Sequence, residues 1–304
     1  HPAMVARFLA DRGVACLCLY EVELWPNYIR EASRRRVPVL LVSARLSERA
    51  TARLGVFPAP WRALLSHMEW IQAQDRLDAE RLRALMGGGV PIETGFDYKA
   101  AYYLRERPRA EAADSPPRED RIAFVSLHLG ELRLLQPYLQ DLMKRHALHV
   151  FPRLPQEWPA FRAALLPLGF VLHGREADAR HVLVDALGLV ARELPRCHSA
   201  FIGGSLVERG CHNLWEPLLA GAKVYFGPSV FNQEAMARDL LERGLAERLN
   251  DPADVLRWHR PSPGFAAAAR EYAARRLQDL EAAEVAFRAR LEAVLSRFML
   301  FSGP

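Results

Sequence analysis

Short apolar runs alternate along the chain with longer segments in which apolar residues recur every three or four positions. The runs are typical of buried strands and the periodic segments of amphipathic helices. The second half contains six predicted strands, at residues 121–126, 149–151, 170–173, 181–184, 198–202 and 223–226. The first half contains two, at 14–20 and 37–42, or three if 90–92 is counted.

Predicted helices lie between these runs, at residues 3–12, 28–36, 51–75 with a break at 58–60, 78–86, 132–146, 158–166, 233–245, 252–259 and 266–298. Strands that alternate with helices favour parallel sheets covered on both faces. We therefore expect an α/β protein with two doubly wound, Rossmann-like domains and a long C-terminal helical segment.

A polar, charged and proline-bearing stretch without periodicity covers residues 107–120. Such composition is typical of a domain boundary. We expect a first domain over residues 1–110, a linker over 111–120, and a second domain over 121–304 that includes the C-terminal helices.

The stretch 198–233 organises the second domain. A buried strand runs into a glycine turn at 203–205, a short helix opens at Asn213, and a second buried strand covers 223–226. Asn213 is a good helix N-cap, and Glu216 stands at capping-box spacing. A glycine turn beside a helix N-terminus offers amides to an anion, and the Glu216 carboxylate can accept hydrogen bonds from two ribose hydroxyls. The stretch predicts a nucleotide site, or else a cap and a turn with no ligand.

Other polar residues follow the ends of predicted strands, where open α/β sheets bind ligands. Glu21 and Glu23 follow the first strand, His128 and Glu131 follow the strand at 121–126, and Arg153 follows the next one. Arg153 can pair with a phosphate or a carboxylate.

The formal net charge of +5 suits anionic ligands or a membrane surface. No lysine-rich tail or arginine-rich helix is present, which argues against nucleic acid as a partner. No apolar run reaches the length of a transmembrane helix. The four cysteines form no C-x-x-C pair, and we expect buried, reduced thiols rather than disulfides or a zinc site.

Six stretches together resemble the 3-deoxy-D-manno-octulosonic acid (Kdo) transferases, glycosyltransferase family 30. They are EVELWPN (21–27), VSARLSERA (42–50), SLHLGE (126–131), FPRLPQEW (151–158), GGSLVERGCHNLWEP (203–217) and FGPSVFN (226–232). The resemblance implies a GT-B enzyme that binds CMP-Kdo in its second domain. It implies inverting transfer of Kdo to a lipid A precursor in lipopolysaccharide biosynthesis, with neither metal nor cofactor, at the cytoplasmic face of the bacterial inner membrane.

The resemblance also assigns roles to residues. Glu21 matches a glutamate that stabilises the transition state, and Lys99 corresponds to a lysine of the catalytic region. The residues implied in donor binding are Pro152, Arg153, Leu187, Gly188, Leu189, Asn213, Leu214, Trp215, Glu216, His128, Glu131, Gly203, Gly204 and Ser205.

This sequence departs from the family pattern at three places. Leu187-Gly188-Leu189 stands where the family has M-G-E, which removes a polar contact, and Lys99 stands one position later than the T-G-x-x-K pattern requires. The family's general base lies in a V-G-E turn upstream of ELWPN, and residues 1–20 contain no glutamate. We therefore expect this chain to lack the N-terminal part that carries the base and the membrane anchor, and not to turn over by itself.

Two alternatives remain open. One is a non-catalytic nucleotide-binding homologue, and the other is a different GT-B enzyme that uses a UDP-sugar.

Overall fold

Two parallel β-sheets form the cores of two units in the computed structural model, which describes residues 1–106, 120–176 and 179–299. The first unit comprises His1–Ala101 together with the chain from Arg276 onward, and the second comprises Tyr102–Arg275. The linker predicted at 111–120 lies, except for Asp120, outside the described residues.

The first sheet has four described strands, all parallel, in the order β1-β2-β3-β4. The strands are β1 (Leu17–Tyr20), β2 (Val39–Ala44), β3 (Trp70–Ala73) and β4 (Ile92–Thr94). The helices of this part of the chain are α1 (Pro2–Asp11), α2 (Pro26–Arg34), α3 (Glu48–Val56), α4 (Pro58–Leu65), α5 (Arg76–Met86) and α6 (Lys99–Glu106).

Strand β3 was missed by the sequence analysis, which predicted helix from residue 51 to 75. Helix α4 ends at Leu65, and the following apolar run pairs with β2 and β4 on either side. Every residue of β3 is buried. A run of four residues is too short for its periodicity to distinguish a strand from a helix, and the pairing on both sides decides the outcome.

The second sheet has seven described strands, all parallel, in the order β11-β10-β9-β5-β6-β8-β7. They are β5 (Arg121–Leu127), β6 (Ala147–Pro152), β7 (Val171–Leu172), β8 (Val182–Leu183), β9 (Ser199–Ile202), β10 (Lys223–Phe226) and β11 (Ala246–Arg248). The helices are α7 (Leu129–Arg145), α8 (Trp158–Leu165), α9 (Val190–Glu193), α10 (Trp215–Leu219) and α11 (Glu234–Glu242).

The prediction of a parallel βαβ unit at 198–233 is confirmed, since β9 and β10 pair in parallel with α10 between them. The segment after this unit differs from its prediction. Strand β11 was not predicted, and Pro252–Arg257 forms a 3-10 helix rather than an α-helix. Its predicted cap is present, because the Asp251 side chain accepts a hydrogen bond from Ala253 N.

The last helix, α12 (Phe265–Met299), has 35 residues. From Arg276 onward it belongs to the first unit, whereas the sequence analysis placed the whole helix with the second domain. Its Phe287 stacks on Trp70 with the ring centroids 5.9 Å apart, and Val294 joins the buried cluster of Leu40, Val42 and Trp70. The periodicity of a helix shows that it has an apolar face but not which sheet that face covers.

Among the described residues, no helix is both long enough and apolar enough to span a bilayer.

Candidate functional site

The candidate site lies where the strand order of the second sheet reverses. Strand β5 is central, and the chain proceeds from it to β6 on one side and later to β9 on the other. Ligands of open α/β sheets bind at the carboxyl ends of strands beside such a reversal. Strand β5 ends at Leu127 and is followed by His128, while β9 ends at Ile202 and is followed by Gly203.

The glycine turn after β9 is held from below by the Glu131 carboxylate. This side chain is 0 % exposed and accepts hydrogen bonds from His128 N at 3.1 Å, Gly204 N at 2.8 Å and Leu206 N at 2.9 Å. Burial raises the pKa of Glu131, and the amides that donate to the carboxylate oppose this shift. Glu131 therefore shapes the turn through its side chain, which is enclosed by protein.

Gly203 and Gly204 are required by close backbone approaches. A Cβ on Gly203 would lie 2.2 Å from the carbonyl oxygen of Ser126, and Gly204 has a φ of +78°. Ser126 itself has a positive φ, at the point where the pairing of β5 with β6 shifts register. The two strand ends thus approach too closely for any side chain at residue 203.

Ser205 connects β9 to the end of β10. Its hydroxyl donates to Ile202 O and accepts from Gly227 N at 2.8 Å, and the residue is fully buried. Like Glu131, Ser205 lies beneath the turn. Of the residues that the resemblance associates with the donor, these two hold backbone in place through their side chains.

Above the turn, His128 and His212 form a pair of imidazoles. Their Nε2 atoms lie 2.9 Å apart, and His128 is 4 % exposed. Burial lowers the pKa of both rings, that of His212 to about 4, and Arg153 and Arg209 lower both further through their positive charge. Glu157 Oε2 lies 4.0 Å from His128 Nδ1 and acts in the opposite direction on the pKa of His128. Both rings are therefore neutral near pH 7.

The sequence analysis did not assign roles to His212, Arg209 or Glu157. All three fall inside the stretches that carry the family resemblance, next to residues that were assigned. The signal was therefore their position beside the glycine turn and beside Arg153. What could not be read from the sequence is that a loop after β9 brings His212 to the residue that follows β5.

Arg153 follows β6 directly and is exposed, while Pro152 is the buried last residue of that strand. The backbone N of Arg153 donates to Leu127 O at 2.9 Å. The residue is thus fixed at the carboxyl end of β5, and its guanidinium and that of Arg209 make the surroundings of the histidine pair positive.

The predicted N-cap at Asn213 is wrong by one residue. Helix α10 begins at Trp215, its N-cap position is Leu214, and Asn213 Oδ1 instead accepts from Trp215 N at 2.9 Å in an Asx turn. The helix has only five residues, so its dipole is small. Asn213 Nδ2 is buried and has no hydrogen-bond partner among the described residues. It is a buried donor whose hydrogen-bonding capacity is unused among the described residues.

The other residues of this segment divide into two kinds. Leu214 and Trp215 are buried, and Trp215 stacks on Tyr272 with ring centroids 5.9 Å apart. Glu216 is half-buried in the first turn of α10. Leu214 and Trp215 therefore fix the helix, and Glu216 is the residue of this group whose carboxylate can meet a ligand.

The loop at residues 187–189 leads into α9. Leu187 and Gly188 are exposed, and Gly188 has a φ of +81°. At the end of α9, the buried carboxylate of Glu193 lies 3.5 Å from the guanidinium of Arg196, with two imidazoles somewhat further away. The ion pair of Glu193 with Arg196 fixes the end of the helix that follows the loop.

In the first unit, the structure brings the two predicted catalytic residues together. Lys99 Nζ lies 2.9 Å from Glu21 Oε1, and Asp97 Oδ1 accepts from Lys99 N at 3.0 Å. Glu21 follows β1 directly and has a positive φ of 53°. Burial raises the pKa of Asp97.

The cysteines were expected to be buried. Cys197 and Cys211 are buried, but Cys18 on β1 is exposed, with its Sγ 3.9 Å from that of Cys16. The described residues contain no group of three His, Cys, Asp or Glu side chains placed to hold a metal ion.

Comparisons with known proteins show which sequences and which folds this chain is similar to. Residues 1–101 match the family described as 3-deoxy-D-manno-octulosonic-acid transferase (kdotransferase). The 3-deoxy-D-manno-octulosonic acid transferase of Bordetella pertussis is 28 % identical over 270 residues, which are 84 % of this chain and 63 % of that protein. The enzyme of the same name from Haemophilus influenzae is 29 % identical over 288 residues, with the same shares of the two chains. This chain thus spans less than two thirds of the length of these relatives.

Among solved structures, the α,α-trehalose 6-phosphate synthase of Burkholderia multivorans matches 100 % of this chain and 76 % of its own, with a TM-score of 0.63 and 12 % identity. At that identity the likeness concerns the fold alone, which is GT-B. By its sequence matches, this chain is similar to the 3-deoxy-D-manno-octulosonic acid transferases.

Proposed function

We propose that this protein is a glycosyltransferase that transfers Kdo from CMP-Kdo to a lipid A precursor in lipopolysaccharide biosynthesis, and that its second unit binds the CMP donor. The observation that carries the proposal is that four of the six family stretches, 126–131, 151–158, 203–217 and 226–232, meet at the carboxyl ends of strands in the second sheet. His128, Arg153, the turn at 203–205 and Glu216 all follow carboxyl ends of strands there.

The chemistry of the donor fits these residues. CMP-Kdo has a phosphodiester and a sugar carboxylate, and the site offers two guanidinium groups, those of Arg153 and Arg209. A guanidinium can bind either anion through two parallel hydrogen bonds. Glu216 supplies a carboxylate for the ribose hydroxyls, and Asn213 Nδ2 supplies a buried donor. We place the nucleotide base beside the loop at residues 187–189, where Leu187 and Gly188 are exposed.

The transfer step breaks the bond between the sugar's anomeric carbon and the phosphate oxygen of CMP. An acceptor hydroxyl forms the new bond from the opposite face, a base takes the hydroxyl proton, and CMP leaves as a phosphate monoester. The leaving phosphate gains negative charge, so cations and donors aimed at it accelerate the step without a metal. Lys99 Nζ lies 2.9 Å from Glu21 Oε1 in the first unit, and for Glu21 we propose the role that the family resemblance implies, stabilisation of the transition state.

The acceptor is a lipid, and we place the protein at the cytoplasmic face of the bacterial inner membrane. The net charge of +5 suits a surface that carries anionic lipids.

The test is a mass-spectrometric transfer assay with the full-length protein, CMP-Kdo generated in place, and a tetraacylated lipid A precursor. We expect product from the parent and a loss of about 100-fold or more in kcat/KM for Arg153→Ala. Arg133→Ala is the matched control, since Arg133 is an exposed arginine on α7. It should behave as the parent does. Transfer from a UDP-sugar instead, or no transfer by the full-length parent, would overturn the proposal.

A further inference from the structure

The hydrogen bond between His128 and His212 restricts how many protons the two rings can hold. Their Nε2 atoms are 2.9 Å apart, so one must donate and the other must accept. Two neutral rings satisfy this requirement. One imidazole and one imidazolium also satisfy it, because a single hydrogen is still shared between the Nε2 atoms. Two imidazolium rings cannot, since both Nε2 atoms would then be donors. The pair therefore has room for one additional proton.

The carboxylate of Glu157 lies near His128 Nδ1, where it can balance the charge of an additional proton. His128 Nδ1 is buried and has no hydrogen-bond partner among the described residues, and Glu157 Oε2 lies 4.0 Å from it. The same oxygen of Glu157 accepts from Leu129 N at 3.1 Å, which fixes the carboxylate beside the ring. When the pair is protonated, His128 Nδ1 becomes a charged donor opposite Glu157.

Four charged or titratable groups face the pair from the elements around it. Arg153 follows β6, Arg209 lies in the loop after β9, Glu157 ends the 3-10 helix Pro155–Glu157 that precedes α8, and Glu131 on α7 accepts a hydrogen bond from His128 N. Burial, and then the two arginines, lower the pKa of both rings. An anion bound beside the arginines would offset their part of this shift.

We propose that binding of the nucleotide's phosphate adds one proton to the His128–His212 pair, with Glu157 as its counter-ion, so that donor binding and proton uptake are linked. The inference rests on the proposed function only in that the ligand is a nucleotide. A protonated pair adds a third positive charge where the leaving phosphate gains negative charge, and the proton is released when the nucleotide departs.

The linkage has a definite sign. In the free protein, burial and the two arginines lower the pKa of both rings, that of His212 to about 4, so the pair is neutral above pH 7. If the phosphate raises the pKa of the pair, the bound state holds more protons than the free state. Affinity then increases as the pH falls, by at most about tenfold per pH unit for one proton.

The experiment is isothermal titration of this chain with CMP at pH 7.5, in buffers that differ in ionisation enthalpy. At this pH the phosphate monoester, with its second pKa near 6, is almost fully ionised and contributes little to the proton count. The slope of the observed enthalpy against buffer enthalpy gives the number of protons taken up. We expect an uptake of about 0.3–1 proton per CMP, and none with cytidine, which lacks the phosphate.

Two variants and a control locate the proton. His212→Gln should abolish the uptake and weaken CMP binding by about tenfold or more. Glu157→Gln should reduce the uptake while the protein still binds CMP. His198→Gln is the matched control, because His198 is also a partly buried histidine whose pKa is lowered to about 4, in the same unit but immediately before β9. It should take up as many protons as the parent.

The outcomes separate this inference from the proposed function. If CMP binds without proton uptake, or if His212→Gln retains the uptake, the inference is overturned and the CMP site stands. If UDP or UMP binds in place of CMP but with the same uptake, the inference stands and the donor is wrong. Failure of every nucleotide to bind would overturn both.

Discussion

Lys99 Nζ lies 2.9 Å from Glu21 Oε1, at the carboxyl end of β1. The Lys99 side chain is 61 % exposed and that of Glu21 15 % exposed. An ion pair with one such exposed member adds little to the free energy of unfolding. The pair therefore adds little to stability, and we propose that it serves chemistry at Glu21.

Replacing Lys99 with methionine tests this explanation. We expect Lys99→Met to change the free energy of unfolding by no more than about 1 kcal/mol and to lower kcat/KM of the full-length protein by about 100-fold or more. Lys144→Met is the control, since Lys144 forms an exposed pair with Asp141 on α7. Equal activity of the two variants would show that Lys99 forms only an exposed ion pair and has no catalytic role.

Gly203→Ala should destabilise the second unit. The added Cβ would lie 2.2 Å from Ser126 O and 2.9 Å from Glu131 Oε2, so a buried turn must shift, at a cost of about 2–4 kcal/mol. The control is Gly55→Ala in α3, where no atom lies within 4 Å of the added Cβ. There alanine should be neutral or stabilising by about 0.5–1 kcal/mol. Urea denaturation measures both, and equal effects would refute the close approach at residue 203.

Much of this site could be predicted because its residues follow strong local patterns. The runs that become β9 and β10 are apolar throughout, and a glycine pair after a buried strand indicates a close turn. The sequence analysis therefore located the turn and the parallel strands correctly. It also selected Glu21 and Lys99, although the position of Lys99 departs from the family spacing.

What could not be predicted depends on contacts between distant segments. The sheet partners of β3 override its helical surroundings, and the packing of Phe287 on Trp70 places the end of α12 in the first unit. The pairing of His128 with His212 depends on the path of a loop. Asn213 has the composition of an N-cap, but its carboxamide forms an Asx turn, because both arrangements use the same side-chain oxygen.

Asp78 should make stability depend on pH. Burial, and then the charge of Asp75, raise the pKa of Asp78 to about 7, while Leu46 N donates to its Oδ1 at 2.7 Å. An unfolded aspartate has a pKa of about 3.9, so the folded state binds more protons between pH 4 and 7. Its contribution to stability is therefore lost as the pH rises through that window.

The variant Asp78→Asn keeps an acceptor for Leu46 N and removes the charge. It should be more stable than the parent at pH 8 by about 1–3 kcal/mol, with a flatter dependence on pH. Denaturation at pH 5, 6, 7 and 8 measures this difference. Asp11→Asn, at an exposed position on α1, should follow the parent. If the free energy of unfolding changes with pH in the same way in the parent and in Asp78→Asn, the raised pKa of Asp78 is contradicted.

Glu216→Gln tests the ribose contact. If the carboxylate accepts both ribose hydroxyls, the variant should bind CMP about tenfold or more weakly, the cost of a hydrogen bond to a charged group. The parent should bind 2′-deoxy-CMP more weakly than it binds CMP. The variant should bind the two nucleotides with nearly equal affinity. Glu242→Gln, at the exposed end of α11, serves as the control. CMP affinity equal to that of the parent would leave Glu216 with a structural role only.

The central claim is that the second unit binds a cytidine monophosphate donor. The most direct test is calorimetric titration of this chain with CMP and with UDP under identical conditions. The family resemblance, together with the positive surroundings of the histidine pair, leads us to expect a donor with a single phosphate. The account predicts that CMP binds more tightly than UDP, and tighter binding of UDP would contradict it.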